Sequence, residues 1–319
     1  MTMIVAAQPK ALILNLSKGE GLRAATVEDF FALLKPRVMS LVIFTGLAGM
    51  IVAPGHVHLL TAFSALLCIA VAAGASGALN MAYDSDIDAL MARTASRPIP
   101  MGRIARADAL GFGWTLAVGA VAMMFLLVNA LAAGLLAFTV LFYVGVYTLW
   151  LKRRTPQNIV IGGLAGALPP AIGWAAVTGT LSFAPLLLVA IIFLWTPPHF
   201  WSLALCRSED YARAGVPMMP VVRGKRSTRL QIMAYALVLV PLGLAPAAIG
   251  IGGPLYLAAA AGLGLLLLVN TLAVLRETDE AKEPAAHRAF AVSIFYLFSL
   301  FAALIAENLL GLAPLQIWT

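Results

Sequence analysis

Charged residues are scarce in this chain of 319 residues: Asp, Glu, Lys and Arg together make up 11% of it, while 62% is hydrophobic. Soluble domains carry about a quarter charged residues and about half apolar ones. A chain with so little charge cannot cover a water-facing surface, which excludes an ordinary soluble protein. The composition therefore predicts an integral membrane protein.

Cysteine and period-two patterning are lacking as well. Cys68 and Cys206 are the only cysteines, which excludes a disulfide framework. Cys68 lies in an apolar segment, where cysteine usually acts as a small apolar residue. No segment alternates apolar and polar residues as the strands of an outer-membrane barrel do. The chain is therefore expected to cross the membrane as α-helices.

Apolar windows of about 20 residues, the length that crosses a bilayer as a helix, recur nine times. They lie at 38–54, 59–82, 107–129, 131–151, 158–178, 182–205, 229–252, 254–275 and 288–311. The predicted fold is all-α, with nine transmembrane helices in a single domain at 31–319. Residues 1–30 lack a small-residue cleavage site behind an apolar core, so a cytosolic tail is expected rather than a signal peptide.

The basic residues predict the orientation in the membrane. All Lys and Arg residues fall in the N-terminal tail or in alternate loops, and the opposite loops and the C-terminal tail have none. The positive-inside rule then places the N-terminus in the cytoplasm and the C-terminus outside. All Asp and Glu residues except Glu307 lie on the cytoplasmic side too. Because acidic residues hardly affect topology, this bias indicates a functional site on the cytoplasmic face.

The stretch NMAYDSDIDALMARTASRPIP, from Asn80 to Pro100, ends the second apolar window. Asn80, Asp84 and Asp88 are four residues apart, so they line one face of a helix, whereas Asp86 points away. We call these three residues the acidic motif. Two carboxylates and an amide oxygen are hard ligands that suit Mg²⁺, whose remaining ligands are water and phosphate.

Basic residues accompany the acidic motif. Arg93 and Arg97 follow it closely, and metal-binding carboxylates beside arginines are typical of a diphosphate clamp. The alternative is a solvated helix end whose aspartates face the cytosol. A later break between spans, YTLWLKRRTPQN, holds Tyr147, Lys152 and Arg153. Positive charge that sets topology, next to an interfacial aromatic residue, is the alternative for this second group and is the expected role of Arg154.

A second acidic loop follows the sixth apolar window, in the stretch LALCRSEDYARAGVPMMPVVRGKRST. A shift of the acidic motif by 126 residues places Cys206, Asp210 and Ala214 on its three positions, so only the middle carboxylate recurs. This is a weak internal repeat of the kind found in membrane folds, and coincidence remains the alternative.

Four blocks in this order resemble the UbiA superfamily of intramembrane prenyltransferases, and within it the branch that farnesylates heme. They are NMAYDSDIDALMARTASRPIP, YTLWLKRRTPQNIVIGGLAGALPPAIGW, WTPPHFWSLAL and DYARAGVPMMPVV. The resemblance implies a helical bundle around a central cavity open to the cytoplasm. It also implies transfer of a farnesyl group from farnesyl diphosphate to a vinyl group of heme b, with addition of water, giving heme O. The cofactor would be Mg²⁺.

The resemblance also implies roles for individual residues. Metal binding falls to Asn80, Asp84, Asp88 and Asp210. Diphosphate binding falls to Arg93, Arg97, Tyr147, Lys152, Arg153 and Lys225. The catalytic residues would be Asp84, Asp88, Lys152 and Arg153. Ala214 stands where many members of the superfamily have a further aspartate, which makes a symmetric two-metal site doubtful.

His199 is the candidate heme-binding residue. It follows Pro197 and Pro198, which are expected to break the helix and free backbone carbonyls. Histidine is the commonest protein ligand of heme iron. A buried histidine that is hydrogen-bonded inside the bundle is the alternative.

Two other functions compete with this interpretation. A prenyltransferase acting on 4-hydroxybenzoate or another quinone precursor would share the metal site, but the blocks WTPPHFWSLAL and AGVPMMPVV disfavour it. A transporter would need polar residues near the middle of its spans, where this chain has almost none. The expected location is the inner membrane. Heme A synthase and terminal-oxidase assembly proteins are candidate partners, and no nucleic-acid partner is expected.

Overall fold

The computed structural model describes residues 25–279, 282–313 and 315, so most of the predicted tail at 1–30 lies outside the described residues. Within these residues every regular element is helical, which confirms the all-α prediction. The elements are α1 (Val27–Leu33), α2 (Pro36–Val52), α3 (Leu59–Tyr83), α4 (Ser85–Leu90), α5 (Arg106–Leu127), α6 (Ala130–Leu141), a π-helix (Phe142–Leu151), α7 (Asn158–Ala167), α8 (Pro169–Thr178), α9 (Phe183–Cys206), α10 (Ser208–Arg213), α11 (Met219–Val222), α12 (Gly224–Ala248), α13 (Pro254–Leu275) and α14 (Pro284–Leu309).

Eight helical segments of the described chain are long and apolar enough to cross a membrane. The predicted first span is shorter, because α2 has 17 residues. It becomes a ninth candidate when α1 and the apolar part of α2 are taken together across a bend of 56°. The predicted nine-helix arrangement is consistent with this count.

Prolines change two of the predicted spans in opposite ways. The window 158–178 is divided into α7 and α8, because Pro169 and Pro170 lack the N–H groups that would continue the α7 hydrogen bonds. The prediction that Pro197 and Pro198 break a helix is wrong, since α9 runs without interruption through both. Both prolines are buried there, so tight packing on all sides supports the helix where it lacks backbone hydrogen bonds.

Small residues let the first span approach α8 at the level of the backbone. A Cβ atom on Gly49 would lie 2.1 Å from the carbonyl oxygen of Pro170, and one on Gly173 would lie 2.1 Å from that of Gly46. Glycine is therefore required where the two helices cross, as is common in membrane bundles. The largest apolar core cluster extends over these helices and joins them to α3, α9 and α14.

Glu307, the lone acidic residue near the outer face, has a structural partner. Its carboxylate is buried and accepts hydrogen bonds from the backbone N–H groups of Gly253, at 2.5 Å, and Leu255, at 3.0 Å. These N–H groups lie at the start of α13, where the backbone of a helix offers no partner for them. Glu307 of α14 therefore caps the neighbouring helix.

Candidate active site

The acidic motif spans a break between two helices. α3 ends at Tyr83 and α4 begins at Ser85, with Asp84 in the link. The backbone bonds from Asp84 N to Asn80 O, 2.9 Å, and from Asp88 N to Asp84 O, 2.8 Å, continue the α-helical pattern across the link. The predicted four-residue spacing thus still brings the three side chains to one side, and all three are buried.

Asp86 lies on the opposite side, as the helical spacing predicts. Its side chain is 63% exposed, compared with 1% for Asp84 and 3% for Asp88. The guanidinium of Arg153 donates two hydrogen bonds of 2.7 Å to its carboxylate and thereby holds the pKa of Asp86 below its ordinary value. Arg153 also lies 3.7 Å from Asp84 Oδ1, so it bridges the exposed and buried aspartates.

Asp84 is the centre of the polar contacts. Its Oδ2 atom accepts hydrogen bonds from the ammonium of Lys152 and from Asn80 Nδ2, the latter at 2.6 Å. Its Oδ1 atom is buried and has no hydrogen-bond partner. A buried carboxylate oxygen without a partner is costly unless a further ligand satisfies it. The atom therefore fits a hard cation such as Mg²⁺.

The other two members of the acidic motif are also held by cations. Arg97 Nη1 lies 2.5 Å from Asp88 Oδ2. Lys35 Nζ donates a hydrogen bond of 2.9 Å to Asn80 Oδ1. The amide oxygen that was predicted as a metal ligand is thus the acceptor for a lysine, and the Asn80 amide nitrogen donates to Asp84.

Lys35 was not predicted as a site residue, because its charge is accounted for by membrane topology. It lies between α1 and α2 with φ 55° and ψ 58°, a left-handed backbone conformation that is unusual for a residue other than glycine. A Cβ atom on Gly77 of α3 would lie 3.2 Å from Leu33 O and 3.5 Å from Lys35 Cδ. The missing side chain at Gly77 lets the α1–α2 link sit close enough to α3 for Lys35 to reach Asn80.

The π-helix positions a second group of side chains. Its wider turn is seen in the backbone bond from Lys152 N to Tyr147 O, which is 2.9 Å long and joins residues five apart. The side chain of Thr148 follows the same spacing, since its Oγ1 donates to Tyr143 O at 2.9 Å. Thr148 Oγ1 in turn accepts from Asn80 Nδ2 at 3.2 Å. π-helical turns often occur at functional sites. Nothing in the sequence pattern distinguishes this segment from an ordinary α-helix, so Thr148 was not predicted.

Tyr147, predicted to bind diphosphate, packs tightly against the next helix. A Cβ atom on Gly162 of α7 would lie 2.2 Å from Tyr147 Cδ2. The Tyr147 ring lies 5.2 Å from that of Tyr143. It also borders the apolar cluster that lines both acidic loops.

The two acidic loops meet through apolar contacts rather than through their carboxylates. Ile87 and Met91 near α4 share a buried cluster with Ala214, Val216 and Met218 of the second loop. The described residues hold no group of three His, Cys, Asp or Glu side chains arranged to bind a metal ion. Mg²⁺ usually binds one or two carboxylates and takes its other oxygen ligands from water or phosphate, so Asp84 and Asp88 suffice as its acidic ligands.

Besides Tyr147, three residues predicted to bind metal or diphosphate lie outside the contacts of the acidic motif. Asp210 is buried and forms an ion pair with Arg213, at 3.4 Å. Lys225 lies 3.2 Å from Glu283, which also binds Arg229. Arg93 is exposed. The structure thus brings Arg97, Lys152 and Arg153 to the motif, but not these three.

His199 is buried in α9 and hydrogen-bonded to α14. Its Nδ1 atom lies 2.7 Å from Ser293 Oγ, and its ring stacks between those of Trp195, at 4.2 Å, and Phe290, at 4.5 Å. The serine hydroxyl donates its own hydrogen to Phe290 O at 2.7 Å. With its hydrogen donated there, the hydroxyl accepts from His199, and this arrangement assigns the ring proton to Nδ1 and the lone pair to Nε2.

Comparison with known proteins places this site in a family. Residues 42–306 match the sequence profile of the UbiA prenyltransferase family. The chain belongs to this family. It is 61% identical over 288 residues to a protoheme IX farnesyltransferase of Parvibaculum lavamentivorans, covering 90% of this chain and 91% of that one. It is 60% identical over 296 residues to a protoheme IX farnesyltransferase of Nitrobacter hamburgensis, covering 92% and 95%.

Solved structures share the fold of the family. A structure of digeranylgeranylglyceryl phosphate synthase superposes with a TM-score of 0.72 at 18% identity, covering 88% of this chain and 98% of that one. A UbiA homolog from Archaeoglobus fulgidus bound to DMAPP and Mg²⁺ gives a TM-score of 0.64 at 16% identity, covering 87% and 99%. The chain therefore has the predicted UbiA-type fold, and as a membrane-embedded prenyltransferase it does not fit the transporter alternative.

Proposed function

We propose that this prenyltransferase transfers the farnesyl group of farnesyl diphosphate to a vinyl group of heme b, with addition of water, and releases heme O and diphosphate. The observation that carries the proposal is the set of cations around the buried carboxylates Asp84 and Asp88. The choice of acceptor is supported by the relatives about 60% identical, which are protoheme IX farnesyltransferases.

The donor site is built from charges that can neutralise a leaving diphosphate. Arg97, Lys152 and Arg153 reach it from two different loops, and preorganised cations lower the energy of charge that develops in a transition state. Mg²⁺ held by the acidic motif would supply Lewis-acid neutralisation of the same diphosphate. Asp210, which pairs with Arg213 in the second loop, would need to move to join the other ligands. Arg93, Tyr147 and Lys225 would need to move, or act through other groups, to take part in binding the diphosphate.

The reaction begins when the C1–O bond of the donor breaks. The diphosphate keeps the electron pair and an allylic cation remains, so water must be kept away until the acceptor has reacted. Ile87, Met91 and Met218 line the region with buried apolar surface. No general base is needed at this step, which agrees with a site made of cations and carboxylates.

The acceptor step forms one carbon–carbon bond. The terminal carbon of the heme vinyl group attacks C1, and the positive charge moves to the vinyl carbon next to the porphyrin. Water adds there and releases one proton, which leaves a hydroxyl group on the product. The products are heme O and diphosphate, so all atoms are accounted for.

His199 is proposed to bind the heme. Its proton on Nδ1, fixed by Ser293, leaves Nε2 as the ligand atom, and a hydrogen bond at the other ring nitrogen is typical of metal-binding histidines. Stacking by Trp195 and Phe290 fixes the plane of the ring. The alternative of a purely structural histidine has the same hydrogen bond, so the binding role needs its own test.

The location is proposed to be the inner membrane, with the N-terminus in the cytoplasm and the C-terminus outside. The distribution of Lys and Arg over alternate loops supports this orientation. The acidic motif would then face the cytoplasm, where soluble prenyl diphosphates are available. Heme A synthase and oxidase assembly proteins remain predicted partners.

The test uses membranes that contain the protein, supplied with farnesyl diphosphate and either heme b or 4-hydroxybenzoate, with and without Mg²⁺. Extracted products are identified by mass spectrometry. The expected result is a heme heavier by farnesyl plus water that forms only with Mg²⁺. A prenylated aromatic acid with unchanged heme would contradict the acceptor, and the absence of both products would contradict the donor site as well.

A further inference from the structure

Each member of the acidic motif presents an oxygen that is occupied by a different cation. Lys35 holds Asn80 Oδ1, Lys152 holds Asp84 Oδ2 and Arg97 holds Asp88 Oδ2. These oxygens are among the atoms that a metal ion could use. A metal ion that bound them would have to compete with the three cations, whereas the buried Asp84 Oδ1 atom has no hydrogen bond.

Lys35 differs from the other two cations because it binds a neutral group. Lys152 and Arg97 each neutralise a carboxylate, whereas the Asn80 amide carries no net charge. Lys35 thus adds a third basic group to two buried carboxylates, although burial and the neighbouring Arg97 and Lys152 lower its pKa to about 7. A bare divalent cation would have to displace these basic groups from their oxygens, while a complex of the cation with a prenyl diphosphate brings oxygens that the same groups can bind.

The backbone around Lys35 holds it in this position. A left-handed conformation costs a residue other than glycine about 1 kcal/mol, and Lys35 adopts it with φ 55°. The close approach allowed by Gly77 brings the link down onto α3. A lysine needed only to set topology would require neither feature, since it could project freely into water.

We propose that Lys35 makes the acidic motif selective for a metal–diphosphate complex over the free metal ion. Lys35 blocks the Asn80 amide oxygen when no diphosphate is present, and it moves to a diphosphate oxygen when the complex binds. The inference rests on the donor site proposed above. It adds a role for Lys35, and it adds that the metal ion binds together with the diphosphate rather than before it.

The test measures Mn²⁺ binding to the purified full-length protein by the electron paramagnetic resonance signal of free Mn²⁺. Titrations are run alone and with a non-reactive farnesyl thiolodiphosphate. The wild-type protein should bind Mn²⁺ weakly alone and tightly with the diphosphate. Lys35→Met should bind Mn²⁺ alone about tenfold more tightly, because one charge-assisted hydrogen bond no longer competes. In this variant the diphosphate analogue should also raise the affinity for Mn²⁺ much less than it does in the wild type.

Two further variants make the outcome decisive. Lys35→Gly removes the side chain and relieves the left-handed backbone, so it gives the same readout if Lys35→Met fails to fold. Lys282→Met, an exposed lysine near α14, should bind Mn²⁺ as the wild type does. The proposal is overturned if both Lys35 variants bind Mn²⁺ alone no better than the wild type.

The same titrations separate this inference from the proposed function. If the wild type binds no Mn²⁺ even with the diphosphate analogue, both the donor site and the role of Lys35 are wrong. If binding follows the expected pattern but heme is not the acceptor, the inference stands and only the heme assignment falls.

Discussion

At the scale of single residues, burial separates the aspartates of the first acidic loop more clearly than sequence position does. Asp84 and Asp88 are almost completely buried against cations, whereas Asp86 is exposed and pairs with Arg153. An exposed ion pair contributes little to stability. A buried carboxylate aimed at a cationic cluster is a far stronger candidate for binding metal and diphosphate.

Replacing these aspartates one at a time should separate their roles. Asp84→Asn and Asp88→Asn should each lower the rate of farnesyl transfer at least about a hundredfold, because charge that the site needs is lost. Asp86→Asn should keep most activity, since its loss only loosens Arg153. Product formation is measured by mass spectrometry at equal protein levels in the membrane. An inactive Asp86→Asn beside an active Asp84→Asn would refute the assignment.

His199 gives a second prediction at this scale. His199→Phe keeps a ring between Trp195 and Phe290 but removes the nitrogen lone pair. The KM for heme b should rise about tenfold while the KM for farnesyl diphosphate stays unchanged, and the absorption spectrum of bound heme should change. Ser293→Ala should have a smaller effect, because the ring remains and only its preferred tautomer is lost. An unchanged KM and spectrum in His199→Phe would show that the histidine is structural.

Spacing along the chain predicted the acidic motif, but not every residue that contacts it. Positions four apart meet on one side of a helix whatever the rest of the fold does, which is why Asn80, Asp84 and Asp88 could be grouped. Lys35 and Thr148 reach Asn80 from 45 and 68 residues away. Contacts across such distances depend on tertiary packing, which no local pattern specifies.

At the scale of elements, the helices themselves were predictable and their irregularities were not. Long apolar windows identify spans because the bilayer fixes their length. The link at Asp84, the π-helix and the unbroken α9 all depend on neighbouring helices that satisfy or replace backbone hydrogen bonds. Two of these irregularities lie at the candidate active site, where they orient Asp84 and Lys152.

The contact between the π-helix and α7 can be tested with two glycines of the same helix. Gly162→Ala should lower the free energy of unfolding by about 1–3 kcal/mol, and with it the melting temperature of the purified protein, because its Cβ atom would overlap the Tyr147 ring. Activity should fall as well. Gly166→Ala is the control, since a Cβ atom there has no neighbour within 4 Å. Equal melting temperatures for the two variants would show that Tyr147 is not held by α7.

At the scale of the whole molecule, composition predicted a membrane protein and the apolar windows predicted that it is made of helices, and the structure agrees. The paired acidic loops were harder to predict, because a shift of 126 residues preserves only Asp210. In the structure the loops meet through apolar side chains, and the second loop adds no carboxylate contact to the acidic motif. The second loop therefore does not repeat the contacts of the acidic motif.

The central claim is that this site ionises farnesyl diphosphate to an allylic cation. A vinyl group of heme b forms a bond to this cation, and water adds to the new cation on the heme. The most direct measurement supplies the purified protein with Mg²⁺, heme b and farnesyl diphosphate in water enriched in oxygen-18. Mass spectrometry of the extracted heme should show one farnesyl group and one labelled oxygen, located in the new hydroxyl group. A farnesylated heme without the label, or a heme that is not farnesylated by folded protein, would contradict the account.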